Sequence, residues 1–143
     1  MADAYVPFRL YRVRYTMNKE TVQRIFAMDA VDGSLDLFEF RTAPGEEDLI
    51  EVQTRNRLNL LLGEEEGRRI LREKVLRIVF QQGFFKLRET SLEIESLPSE
   101  IHLPYWLGFY GADDALRCRA LDAVRRRIEG AKASAFFEQW LAA

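Results

Sequence analysis

From Phe8 to Met17 apolar and polar residues interleave. Arg9, Tyr11, Val13, Tyr15 and Met17 fall on one side, and Phe8, Leu10, Arg12, Arg14 and Thr16 on the other. Neighbouring side chains of a strand point to opposite faces, so this aromatic, β-branched alternation predicts a strand. Asn18–Thr21 is a polar turn, and Val22–Val31 is a second strand with Ile25, Ala27, Asp29 and Val31 on one face. Asp32-Gly33 then signals a two-residue hairpin, because both residues tolerate the positive φ of a type I′ turn. Leu35–Phe40 follows as a third strand, and Thr42–Asp48, with Pro44-Gly45, is a loop. Leu49–Leu62 is ambiguous. Ile50, Val52 and Thr54 alternate like a short strand, while Leu58 and Leu60–Leu62 suit packing ahead of a helix.

The period then changes from two to 3.6. Residues 64–82 predict the long helix, with three glutamates in the first turn, where the helix dipole favours them. Its main stripe is Ile70, Leu71, Val75, Ile78 and Val79; Leu76 and Phe80 form a second patch, and Gly83 suits a C-cap. A helix with two apolar faces is expected to touch two layers. Phe84–Leu97 returns to strand-like alternation, Pro98-Ser99 turns the chain, and Ile101–Tyr110 is the most apolar strand. Pro104 lacks an N–H and is expected at an edge or bulge. After a turn at Gly111–Asp114, Ala115–Val124 reads as a strand and Arg125-Arg126 as a hairpin tip. Residues 131–141 read as a closing helix with Phe136, Phe137, Trp140 and Leu141 on its apolar side.

One stretch occurs in two versions. Arg24–Asp36 (RIFAMDAVDGSLD) and Arg117–Glu129 (RCRALDAVRRRIE) both read R-x-x-A-apolar-D-A-V. Each follows a Pro-aromatic-x-Leu segment: Pro7, Phe8 and Leu10, then Pro104, Tyr105 and Leu107. Aligning them sets Ile25 beside Cys118, Ala27 beside Ala120 and Asp29 beside Asp122. That small apolar face suits a strand under a helix, which makes Cys118 a core residue rather than a reactive thiol. Asp29 and Asp122 stand two residues before the tips, where an Asp accepts backbone N–H bonds and fixes the turn. The sharper alternative is a carboxylate pair at one site.

The strand ending in DAVDGSLD resembles the strand–turn–strand of PepSY-type domains. LPYWLGFY ahead of LDAVRRRIEGAK is similar to uncharacterised bacterial modules with a P-Y-W strand before a D-A-V hairpin. The resemblance implies hairpin architecture. The peptidase inhibition suspected of PepSY-type domains does not carry over, because the second turn has Arg125-Arg126 where a Gly would stand.

The expected fold is therefore α+β, one domain over residues 1–143. It is a mostly antiparallel sheet from two related hairpin units, about 7–41 and 101–130, with a long central helix and a short C-terminal one. The length of 143 residues supports a core without staples. The formal charge of −2 gives no global field for nucleic acid or membrane. A single cysteine excludes an intrachain disulfide framework and a cysteine-based zinc site. No apolar run reaches the roughly 20 residues of a membrane span, and no leader pattern opens the chain, so a cytoplasmic protein is expected.

Candidate chemistry is sparse. His102, the sole histidine, shares a strand face with Trp106, Gly108 and Tyr110; a glycine between aromatics could admit a small ligand, with the imidazole as its polar handle. Arg125, Arg126 and Arg127, with Lys132 and, as further members, Arg117 and Arg119, could form a basic patch for an acidic partner or nucleic acid, though no aromatic platform accompanies them. No phosphate loop, nucleophile elbow or metal-ligand spacing is present, so no catalytic residue is assigned and no cofactor is expected; the alternative is an enzyme using the His102, Trp106 and Tyr110 face. Leu76, Phe80, Phe136, Phe137 and Trp140 are either core or, if left exposed together, a dimer surface. The composition favours a non-catalytic interaction or structural module with a protein partner or a second copy of itself.

Overall fold

A computed structural model describes residues 2–17, 20–81, 92–111 and 117–142. Its strands are β1 (Ala2–Met17), β2 (Glu20–Asp29), β3 (Phe38–Phe40), β4 (Glu93–Tyr110), β5 (Arg117–Asp122) and β6 (Arg127–Ile128). Its helices are α1 (Glu64–Gln81) and α2 (Ala131–Ala142). The strands form one six-stranded antiparallel sheet in the order β3-β2-β1-β4-β5-β6. The fold is α+β, as the change of period from two to 3.6 predicts.

Both helices press on the sheet, from opposite sides and at opposite ends. On one face Ala4, Val6, Phe8 and Leu10 of β1 join Tyr105, Leu107, Cys118 and Ala120, and α2 covers them with Ala133, Phe136 and Phe137. On the other face Tyr11, Val13 and Tyr15 join Phe26 and Met28, and α1 covers them with Leu71, Val75 and Val79. β1 thus buries alternate residues on one side over its first half and on the other over its second. This explains why each face of Phe8–Met17 carries both apolar and charged residues. Gly67 lets α1 come close: a Cβ there would lie 3.0 Å from the Tyr11 hydroxyl.

The structure corrects three boundaries. Pro98-Ser99 does not reverse the chain. β4 runs through it as one strand, and β1 meets it with a register step in which Arg9 pairs with Glu100 but Tyr11 pairs with Ser96. A proline cannot donate to a ladder, so the strand bulges there. Second, Asp32-Gly33 is not a two-residue hairpin. Only Gly33 takes a positive φ (76°), and the turn runs from Ala30 to Leu37 before the three-residue β3. Third, Ile50, Val52 and Thr54 form no strand. That segment is a loop, stitched to β1 at its end by Tyr5 N–H to Asn56 O (2.8 Å) and Leu58 N–H to Tyr5 O (2.9 Å). The proposed Gly83 cap and the start of the Phe84–Leu97 strand lie outside the described residues.

Pro104 sits inside a central strand, and its neighbour there makes the missing N–H harmless. Its carbonyl accepts from Ala123 N–H (3.2 Å), just past the last ladder pair, Tyr105 with Asp122. In an antiparallel strand a residue's N and O point the same way, so the missing N–H faces a turn rather than a ladder. Pro7 is placed alike: its carbonyl accepts from Ala30 N–H (2.8 Å), past the pair Phe8 with Asp29.

The second tip puts Arg126 at φ 55°, where a Cβ is disfavoured. Arg126→Gly is therefore expected to raise stability by about 0.5–1 kcal/mol. Gly33→Ala should lower it by ~1–2 kcal/mol, because the new Cβ meets both a positive φ and Ile70 at 3.1 Å. Urea unfolding of the two variants checks the opposite signs.

Candidate functional site

The two repeated aspartates are both fully buried. Asp29 Oδ1 accepts N–H bonds from Val31 (3.1 Å), Asp32 (2.9 Å) and Gly33 (2.9 Å), and Oδ2 accepts one from Leu35 (2.9 Å). Burial pushes this carboxyl up from its ordinary range, while the backbone donors pull it back. Asp122 Oδ1 accepts from Val124 (2.9 Å) and Arg125 (3.0 Å), and its Oδ2 meets Arg125 Nε at 2.5 Å. Each carboxylate is occupied by its own turn, which is the local role expected from the sequence. The tips do meet, but through Arg125. Its guanidinium lies 3.8 Å over the Phe38 ring and donates to the Leu37 carbonyl at 3.1 Å.

That geometry redirects the predicted basic patch. Arg125 is folded inward, and Arg127 pairs with Asp36 (3.2 Å) and with Glu129 (3.5 Å). Arg126 and Lys132 are exposed. The structure therefore does not gather Arg125–Arg127 and Lys132 into one free cationic surface: two of the four serve as clasps between the hairpin turns.

Cys118 is buried among Leu107, Ala120 and Phe137, and burial raises its thiol pKa, which favours the inert thiol. Phe136 and Phe137 are likewise core, with ring centroids 4.9 Å apart, and Trp140 packs half-buried beside them. Leu76 is half-buried against the α1 core and Phe80 is exposed. These five do not form a joint patch.

The His102 face divides into two parts. His102 lies half-buried in a cleft of about 430 Å³ between β4 and the loop Asp48–Arg57, with Tyr5, Leu103 and Pro104 along its wall. Burial depresses the imidazole pKa; Glu100 raises it and Arg57 lowers it further. Beyond the cleft, Trp106 (48% exposed) and Tyr110 (51%) stand open with Gly108 between them. Cross-strand pairing brings to this face residues that the sequence reading did not place there. Leu121 pairs with Trp106 and Ile128 with Leu121, while Arg119 pairs with Gly108 and Arg117 with Tyr110. Direct partners share a face, so Trp106, Leu121 and Ile128 (64% exposed) make an apolar row across β4, β5 and β6. The signal was present in the alternation of Arg117–Asp122, but it needed the register to show which residues lie beside Trp106.

Asp29→Ala leaves four N–H groups without their acceptor and is expected to cost about 2–4 kcal/mol. Asp122→Ala, which also strips the part-buried Arg125, should cost a similar amount; a loss under about 0.5 kcal/mol in denaturant unfolding would deny both turns this anchor. His102 should titrate below its ordinary 6.5 by NMR. Because the folded value is the lower one, its contribution to stability is full above the unfolded value. It falls as pH drops through about 6.5 towards the folded pKa. His102→Gln should flatten that part of the stability profile.

Comparison with protein-family models, curated proteins and solved structures finds no significant match to this chain.

Proposed function

We propose that the chain is a non-catalytic protein-interaction module whose contact surface is the open face of β4, β5 and β6. The supporting observation is a contrast between two stretches of sheet that the helices leave uncovered. One, at the far end of β1, carries Arg12, Arg14, Gln23 and Glu95. Its polar groups pair among themselves: Arg12 with the Glu95 carboxylate at 2.8 Å, and Arg14 donating to the Gln23 amide oxygen at 2.9 Å. Such a surface is at home in water. The other carries the apolar row Trp106, Leu121 and Ile128 on a regular scaffold, with Tyr110 exposed beyond Gly108. Single exposed apolar residues are ordinary, whereas a rimmed apolar cluster with Trp and Tyr has the composition of a contact surface.

The matching hydrogen bonds of the two hairpins support a further part of this reading, that they descend from one repeated unit. Pro7 with Ala30 corresponds to Pro104 with Ala123, and Phe8 with Asp29 corresponds to Tyr105 with Asp122. A second reading, small-ligand binding, draws on the cleft beside His102, whose volume falls within the usual range for ligand pockets.

A photo-crosslinking residue placed at Trp106, with one at Arg14 as control, tests the main reading in cells that express the chain. Crosslinked species, with a partner or a second copy, are expected from position 106 and not from position 14. Equal yields, or none from position 106, would sink the proposal.

A further inference from the structure

The open face has an internal counterpart. Aligning the hairpins by their proline carbonyl bonds and buried aspartates sets Arg9 beside Trp106, Tyr11 beside Gly108 and Val13 beside Tyr110. The same alignment sets Met28 beside Leu121. In the first hairpin these positions are the seat of α1: Tyr11, Val13 and Met28 pack with Leu71, Val75 and Val79. In the second hairpin α2 crosses to the opposite face, and among the described residues no helix lies over the corresponding positions.

We infer that this vacant seat takes an amphipathic helix of a partner protein, with acidic residues beside its apolar stripe. The inference rests on the interaction-module reading and names the partner's chemistry. The floor of the seat is Trp106, Leu121 and Ile128. Gly108 leaves a hollow between Trp106 and Tyr110, since a Cβ there would meet nothing closer than the Arg119 carbonyl at 3.9 Å. A leucine or phenylalanine projecting from a helix fits such a hollow as a knob. Arg117 and Arg119, both exposed on β5, line one side of the seat. Asp3, beside Trp106 on β1, is the opposing carboxylate, and Asn56 Nδ2 donates to it at 3.4 Å. Among the described residues, two guanidiniums stand against one carboxylate, a balance that attracts an acidic flank and disfavours the face's own image, which sets a second copy behind an acidic helix. Strand addition is disfavoured too, because β6 offers an edge of only two residues.

The test uses the full chain with Trp140→Phe, which leaves Trp106 as the single tryptophan. The probes are two synthetic helical peptides of about 18 residues, roughly five turns, with one leucine stripe flanked either by glutamates or by lysines. A saturable blue shift of Trp106 is expected with the glutamate peptide, and binding at least about tenfold weaker with the lysine peptide. Arg117→Glu with Arg119→Glu, checked for folding by circular dichroism, should invert that order. No shift with either peptide, or equal shifts, overturns the helix. A concentration-dependent shift without peptide puts a second copy on the face, overturning the helix and leaving the module reading intact. If position 106 forms crosslinks in cells while neither peptide binds, the helix fails alone; if neither occurs, both readings fail.

Discussion

The pairing of β1 with β4 is the constraint on which the rest of the structure depends. It joins the start of the chain to a strand beginning at Glu93, with Val6 opposite Leu103 near its centre. All other strands attach outward from these two: β2 and β3 on one side, β5 and β6 on the other. The helices have seats only once this ladder exists, because each core draws side chains from both central strands. A contact so distant in sequence has a large loop-closure cost, so the local β1–β2 and β4–β5 pairs are natural early structures and their union a late one.

The two buried aspartates solve the problem created where β2 and β5 leave the ladder. A turn exposes several backbone donors at once, and burying them without partners is expensive. One carboxylate answers four donors in the first turn and two in the second, where Arg125 supplies the remaining balance. Arg125 then spans to Phe38 and the Leu37 carbonyl, locking the ends of the two outer hairpins across the face that α2 covers. Burial pushes the pKa of Glu129 up, and Arg127 and Arg125 draw it back, so the same arginines also serve a third carboxylate. A run of three arginines in sequence is thus largely structural in space.

Much of this was legible residue by residue. The alternation of Phe8–Met17 and Ile101–Tyr110 identified the central strands, and the 3.6 period of Leu71, Val75 and Val79 identified α1. The small face of Ala120 and Cys118 pointed to a strand under a helix, and the Asp-Ala-Val motif pointed to carboxylate-anchored turns. The errors share a cause. Pro98-Ser99 looks the same to a local reading whether the chain reverses or bulges, and only the partner strand decides. Asp32-Gly33 carries a hairpin signal, yet the longer turn prevails because Asp29 can reach four donors in it. The candidate site was half legible: Trp106, Gly108 and Tyr110 were placed on one face, but Leu121, Ile128, Arg117 and Arg119 joined them only through cross-strand register.

By itself the sequence determined the class of the fold, the type of most elements and the local role of Asp29 and Asp122. Those properties follow from periodicity, side-chain size and short-range hydrogen bonding, all carried by residues close in the chain. Tertiary structure alone decided which face each helix takes, whether the arginines are free, and which apolar residues stay in solvent. Those outcomes depend on competition between distant segments for the same surface. α1 occupies one side of the sheet and α2 the other, and the exposure of Trp106 is the consequence of where both came to rest.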